Sequence, residues 1–136
     1  MGKRIDREGP IQRSIVSHLR RVLPMAIVHH CKNEINKRGG HIARELQQAT
    51  LAGVVKGFPD ILVLPYAVMG PMFFEVKAPG NYPDSTQKAL HETLRNLGYR
   101  VAVVRSIDDV RETLREWNVP TIEALDSIPH KGTVKA

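Results

Sequence analysis

Gly57-Phe58-Pro59-Asp60 opens directly into the apolar run Ile61-Leu62-Val63-Leu64. Fifteen residues after Asp60, a second run from Pro71 to Phe74 ends in Glu75-Val76-Lys77. Charged residues stepping onto two successive strand-like runs restrict the local fold more than any other stretch of the chain. The β-branched and leucine content of the first run, and the Gly/Pro-bounded turn before the second, predict a β-hairpin. With a turn from Ala67 to Gly70, Tyr66 pairs with Pro71, Leu62 falls opposite Glu75, and Asp60 falls opposite Lys77. Side chains alternate faces along a strand, so Glu75 and Lys77 share a face while Val76 points away, and the pairing carries Asp60 to that same face.

Two carboxylates and an amine then converge. Carboxylates and a strand carbonyl are the hard oxygen ligands that Mg2+ or Mn2+ prefers, and an adjacent ammonium can position or deprotonate water. That combination suits phosphodiester hydrolysis. The plainer reading is that Asp60 only starts a strand, with Glu75 and Lys77 forming the solvated face of a half-buried hairpin. Against it, G-x-P-D followed within twenty residues by E-x-K arises by chance on the order of once in a thousand such chains at ordinary residue frequencies. The pattern resembles the active-site signature of the PD-(D/E)XK nucleases, and its glycine and spacing are most similar to the VRR-NUC branch.

The resemblance implies an α/β, restriction-endonuclease-like domain, with a mixed sheet of about four strands flanked by helices. It implies a DNA endonuclease dependent on Mg2+ (or Mn2+), with Asp60, Glu75 and the Val76 carbonyl as metal ligands and Lys77 beside the nucleophilic water. VRR-NUC domains open on a helix that carries an acid four residues before a glutamine. Glu8 and Gln12 match this, which implies that Glu8 approaches the metal; otherwise the acid only complements the helix dipole. These domains also carry a glutamine at the helix start after E-x-K, and Gln87 stands there, completing the implied catalytic set. Stand-alone members of this minimal size look like junction-resolving enzymes. The implied substrate is therefore branched DNA, a four-way (Holliday) junction cut by a homodimer in DNA repair. A flap- or end-processing nuclease and a catalytically silent nucleic-acid-binding module are the alternatives.

The 136 residues, 42% of them apolar, supply one modest core and no separate target-reading domain. A nuclease domain over 1–117 and a C-terminal tail over 118–136 follow from the motifs. Twenty Lys and Arg against fourteen Asp and Glu give a net charge of +6, which favours an anionic polymer as partner. Cys31 is the single cysteine, excluding an internal disulfide framework and fitting a reducing compartment. No apolar run reaches the roughly eighteen residues of a membrane span, and no signal peptide is evident. These features place the protein in the cytoplasm of a bacterial or phage-infected cell, with no membrane partner.

From the N-terminus, Pro10 and the spacing of Ile11, Ile15, Val16, Leu19, Val22 and Leu23 predict a helix closed by Pro24. Met25 to His30 reads as a short strand, and Cys31 to Gly40 as a loop. His29, His30 and Cys31 do not make a zinc site, because adjacent strand residues face opposite ways and no second cysteine or spaced histidine pair completes a tetrahedron. Lys32, Lys37 and Arg38 beside Gly39-Gly40 form a phosphate-contacting loop or a solvated one. His41 to Leu51 reads as a helix, Lys56 adds charge before the motif, and Gly57 permits the tight bend that aims Asp60.

After the turn-rich Ala78 to Pro83, Asp84 and Gln87 have capping-box spacing, so Gln87 serves the helix cap or the carboxylate site. Leu90, Leu94 and Leu97 mark that helix's apolar face. Lys88 and His91 on it read as phosphate contacts or surface rather than catalytic groups. A buried strand from Tyr99 to Arg105, parallel to the Glu75 strand, and a helix capped by Ser106 complete the pattern, with Trp117 in the core.

Overall fold

The structure, a computed structural model, describes residues 5–31 and 42–123. In chain order it comprises α1 (Glu8–Val22), β1 (Ile27–His30), α2 (Ile42–Leu51), β2 (Ile61–Leu64), β3 (Met72–Val76), α3 (Ser85–Asn96), β4 (Arg100–Val104) and α4 (Ile107–Glu116). The four strands form one sheet in the order β1-β2-β3-β4. The first two pairings are antiparallel and the pairing of β3 with β4 is parallel. A parallel pair needs a crossover connection, which α3 supplies. The expected α/β architecture, a mixed sheet flanked by helices, is the one observed.

The apolar stripe of α1 places Ile15, Leu19 and Val22 in the core. There they meet Ile61 and Val63 of β2, Met72, Phe74 and Val76 of β3, and Val110 and Leu114 of α4. Each such fully buried side chain contributes about 1.5–3 kcal/mol. Alternation along the strands sends the intervening residues to the other face. There Phe73 and Val101 pack with Phe58, Leu62 and the α3 residues Leu90 and Leu94. The sheet is thus covered by α1 and α4 on one side and by α3 on the other. This explains why β3 reads as a continuous apolar run: every residue of Met72–Val76 is buried.

The hairpin register corrects the expectation by two residues. Ile61 pairs with Phe74, Leu62 with Phe73 and Val63 with Met72, so Leu62 does not face Glu75 and Asp60 does not face Lys77. The cause is the connection: residues between Leu64 and Met72 wind through a 3-10 turn at Ala67–Met69 instead of closing a tight loop. Two residues is a full strand period, so each side chain keeps its expected face. A second correction concerns Leu97, which caps the end of α3 and is exposed rather than part of its apolar face.

Trp117 packs against Phe74 with ring centroids 5.6 Å apart. Beyond it, Val119 joins the core and Glu123 receives two bonds from Arg111, at 2.6 and 3.1 Å. The segment carrying Lys32, Lys37 and Arg38 lies outside the described residues.

Candidate active site

Gly57 opens the motif loop with φ +83°, a conformation that side chains rarely adopt. A Cβ there would sit 3.1 Å from the backbone carbon and oxygen of Thr86, so the loop is seated directly on the first turn of α3. Phe58 anchors the loop edge-on against Phe73, with centroids 5.5 Å apart, and Pro59 is buried. Asp60 follows just before β2. Its carbonyl accepts from the Cys31 N–H at 2.7 Å, and its Oδ2 accepts from the Val76 N–H at 2.7 Å. The carboxyl is therefore held from the backbone of β3.

Glu75 is 1% exposed and lies on the α3 side of β3. Above it, α3 presents Gln87, Leu90, His91 and Leu94 at the i, i+3, i+4, i+7 spacing of one helical face. Leu90 and Leu94 of that stripe pack with Phe73 and Val101, while Gln87 and His91, one turn apart, reach Glu75. Gln87 Nε2 donates to Glu75 Oε2 at 3.4 Å, and His91 Nε2 lies 3.2 Å from Glu75 Oε1. The two readings of Gln87 coexist. Its Oε1 accepts from the Asp84 N–H and its own N–H donates to Asp84, forming the capping box, while its amide nitrogen reaches Glu75. His91 corrects the expectation of a surface or phosphate-contacting residue: it is 2% exposed and points inward. The signal that could have found it was its i+4 spacing from Gln87.

Lys77 is half-buried at the end of β3, and its charge acts on both carboxyls. Glu8, half-buried in the first turn of α1, is close enough for its charge to push Glu75 up. Beside it, Arg7 donates to the Pro79 carbonyl at 2.9 Å, tying the start of α1 to the loop that follows Lys77. That loop is held again by Arg105, which donates to the Asn81 carbonyl at 2.8 Å and stacks on Tyr82. Lys56 and Lys88 are exposed.

Burial raises the Asp60 carboxyl to about 7, helped by its hydrogen bond with Glu75 and by that neighbour's charge. Glu75 is also pushed up, chiefly by burial, while the bond from Asp60 and the Lys77 charge pull it back. Left to themselves, the two acids share a proton. His91 is pushed below its ordinary range by burial, then by Arg95 and Lys77, which favours a hydrogen bond between the uncharged ring and Glu75 over an ion pair.

Paired acids that must hold a proton in place of a second charge are a donor set that a divalent cation satisfies. Among the described residues no three His, Cys, Asp or Glu side chains gather closely enough to hold a metal. Glu8 therefore does not join Asp60 and Glu75 as a third direct side-chain ligand in this arrangement. Two carboxylates, with a backbone carbonyl, water and substrate phosphate for the remaining positions, fit Mg2+, which retains much of its water.

One expected result follows from these shifts. Folded Asp60 keeps its proton to about 7 against an ordinary 3.8, so between those values the folded state binds more protons than the unfolded chain, and rising pH removes stability. His18 and His91, both lowered by burial from 6.5, act oppositely and cost stability as pH falls below that value. The Asp60 contribution is isolated by comparing melting temperatures of wild type and Asp60→Asn in EDTA across this range. The decline between about 4 and 7 is shallower in the mutant, with the share due to Glu75, also pushed up by burial, remaining; equal slopes for the two proteins contradict the assignment.

A mixed sheet whose adjoining strands bring an aspartate, and a glutamate and lysine one residue apart, to a single buried corner defines an α/β domain of the nuclease type. The VRR-NUC domain model matches residues 6–108, and the chain belongs to the VRR-NUC family. A solved structure described as a VRR_NUC domain protein superposes with a TM-score of 0.62 at 20% identity, covering 85% of this chain and 90% of that one. Another, described as a VRR_NUC domain, gives 0.55 at 28% identity and covers 82% and 97%. Among curated proteins, none matches the chain. No helix among the described residues is long and apolar enough to cross a membrane.

Proposed function

We propose that this nuclease-family domain is a Mg2+-dependent endonuclease that cuts branched DNA, with the four-way junction as its substrate and a homodimer as its working form. The observation that carries the catalytic part is the convergence of Asp60 and Glu75 in one corner under the charge of Lys77. In this reading Asp60, Glu75 and the Val76 carbonyl would hold the cation. Bound Mg2+ supplies the charge that draws electron density off the phosphate and makes water a usable nucleophile near neutral pH. The Val76 N–H fixes one Asp60 oxygen, and the other would serve the cation. Lys77 orients water and offsets charge building on the phosphate, and Gln87 holds the Glu75 carboxylate beside it. Glu8 acts through its field rather than as a direct ligand. Lys56 and Lys88, exposed near the motif loop and on α3, would contact phosphates, as would Lys32, Lys37 and Arg38.

Support for the dimer comes from apolar side chains left uncovered at one end of the β1–β2–β3 meander. Val68 is 92% exposed, and Met25, Ile27, Leu64 and Tyr66 are also exposed, while neighbouring Met69 packs on the core. A two-fold dimer brings two sites to a junction that needs two symmetric cuts.

The test is cleavage of labelled four-way junctions, flaps and linear duplexes with Mg2+, Mn2+, Ca2+ or Zn2+, together with equilibrium sedimentation. Mg2+ and Mn2+ support paired nicks at matching positions on opposed strands. Ca2+ does not, because its larger, looser coordination fails to align water. Flap cleavage by a monomer removes the junction reading and leaves the nuclease; cleavage with Zn2+ alone removes the proposed metal site.

A further inference from the structure

Glu75 has three side-chain torsions, and burial alone does not choose among them, whereas Mg2+ demands near-ideal octahedral geometry. Asp60 bonds this carboxylate from the sheet, and a cation held between the two acids would take the place of that bond; the other contacts that fix it, among the described residues, come from one face of α3. Gln87 touches Oε2 at 3.4 Å, and His91, buried to 2% exposure, sits 3.2 Å from Oε1. On its own strand, the residues sharing its face are Phe73, which offers no donor, and Lys77, which acts through its charge. We infer that His91 is a positioning residue, whose Nε2–H holds Glu75 Oε1 so that the other carboxylate oxygen is presented to the divalent cation. The inference rests on the metal-site reading above.

The chemistry favours an imidazole at this place. A carboxylate oxygen buried without a donor is costly, and the His91 N–H removes that cost. A lysine or arginine there would neutralise the charge that must attract the cation. A neutral donor orients the ligand and leaves its charge available, which is the usual duty of a hydrogen-bonding partner behind a metal ligand. With Glu75 ionised, as a cation ligand must be, the contact requires the proton on Nε2.

The test measures Mn2+ affinity by calorimetry at fixed pH without DNA, on wild type, His91→Leu, His91→Met and His91→Gln, with melting curves of each in EDTA. Leu and Met fill the space without donating; Gln restores an N–H. The Leu and Met variants bind Mn2+ about 10–100-fold more weakly, and Gln recovers most of the loss, whatever the order of melting temperatures. Donor-free variants that bind within about threefold of wild type, or a Gln variant as weak as Leu, overturn the role of His91 and leave the metal site standing. Wild type that binds no Mn2+ overturns both. Nitrogen-15 spectra of wild-type His91 give a reading that needs no variant: a proton on Nε2 is expected, and a ring protonated on Nδ1 alone overturns the inference.

Discussion

Asp60→Ala, Glu75→Ala and Lys77→Ala are each expected to slow DNA cleavage by at least about a thousandfold, while binding of the same DNA changes by less than about threefold. The expected size of the loss follows from the several kcal/mol that a held cation and its aligned water would contribute under the proposed function, at about 1.4 kcal/mol for each factor of ten. Affinity is spared because phosphate contacts come from dispersed basic residues, on a chain with a net charge of +6. The three substitutions are not additive, since each disables the same unit, and the triple mutant is scarcely slower than any single one. Single-turnover cleavage and filter or anisotropy binding on one junction separate the two effects. Glu75→Ala cutting at close to the wild-type rate removes Glu75 from the site.

Gly57→Ala is expected to be the most damaging substitution outside the acids. It imposes φ +83° on a residue with a Cβ, at a cost of about 1–3 kcal/mol. It also drives that Cβ to 3.1 Å from the Thr86 backbone, which has no flexible end to swing aside. Either the loop lifts off α3 or α3 shifts, and both movements displace Asp60 from Glu75. Gly53→Ala is the matched control: its φ is +99°, and nothing lies within 4 Å of an added Cβ. Chemical denaturation is therefore expected to show both variants less stable than wild type. Only Gly57→Ala should also lose cleavage by a larger factor than its stability explains. Equal losses in the two variants show that the contact with Thr86 contributes nothing.

Local patterns in the chain carried much of the architecture. The 3.6-residue stripe of α1, the apolar runs of β2 and β3, the Asp84–Gln87 cap and the parallel return to β4 are properties of neighbouring residues. They survive in the fold because tertiary packing agrees with them. The face shared by Asp60, Glu75 and Lys77 was legible for the same reason, since alternation is indifferent to a register shift of one full period. The register itself was not legible. It depends on how the chain between Leu64 and Met72 folds, and the 3-10 turn there has no composition that distinguishes it from a tight loop.

What remained to the tertiary structure was every contact between segments distant in the chain. A histidine between Leu90 and Glu92 on a helix is as compatible with solvent as with a core; packing that face of α3 over Glu75 buried it. The bond from the Val76 N–H to Asp60, and the seating of Gly57 on Thr86, likewise require β2, β3 and α3 to be assembled. Sequence determined which titratable groups stand in the motif and which face of each element bears them, because covalent spacing fixes periodicity. Only the folded chain decided their distances, their protonation and their partners, because those depend on burial, and burial belongs to the assembled layers.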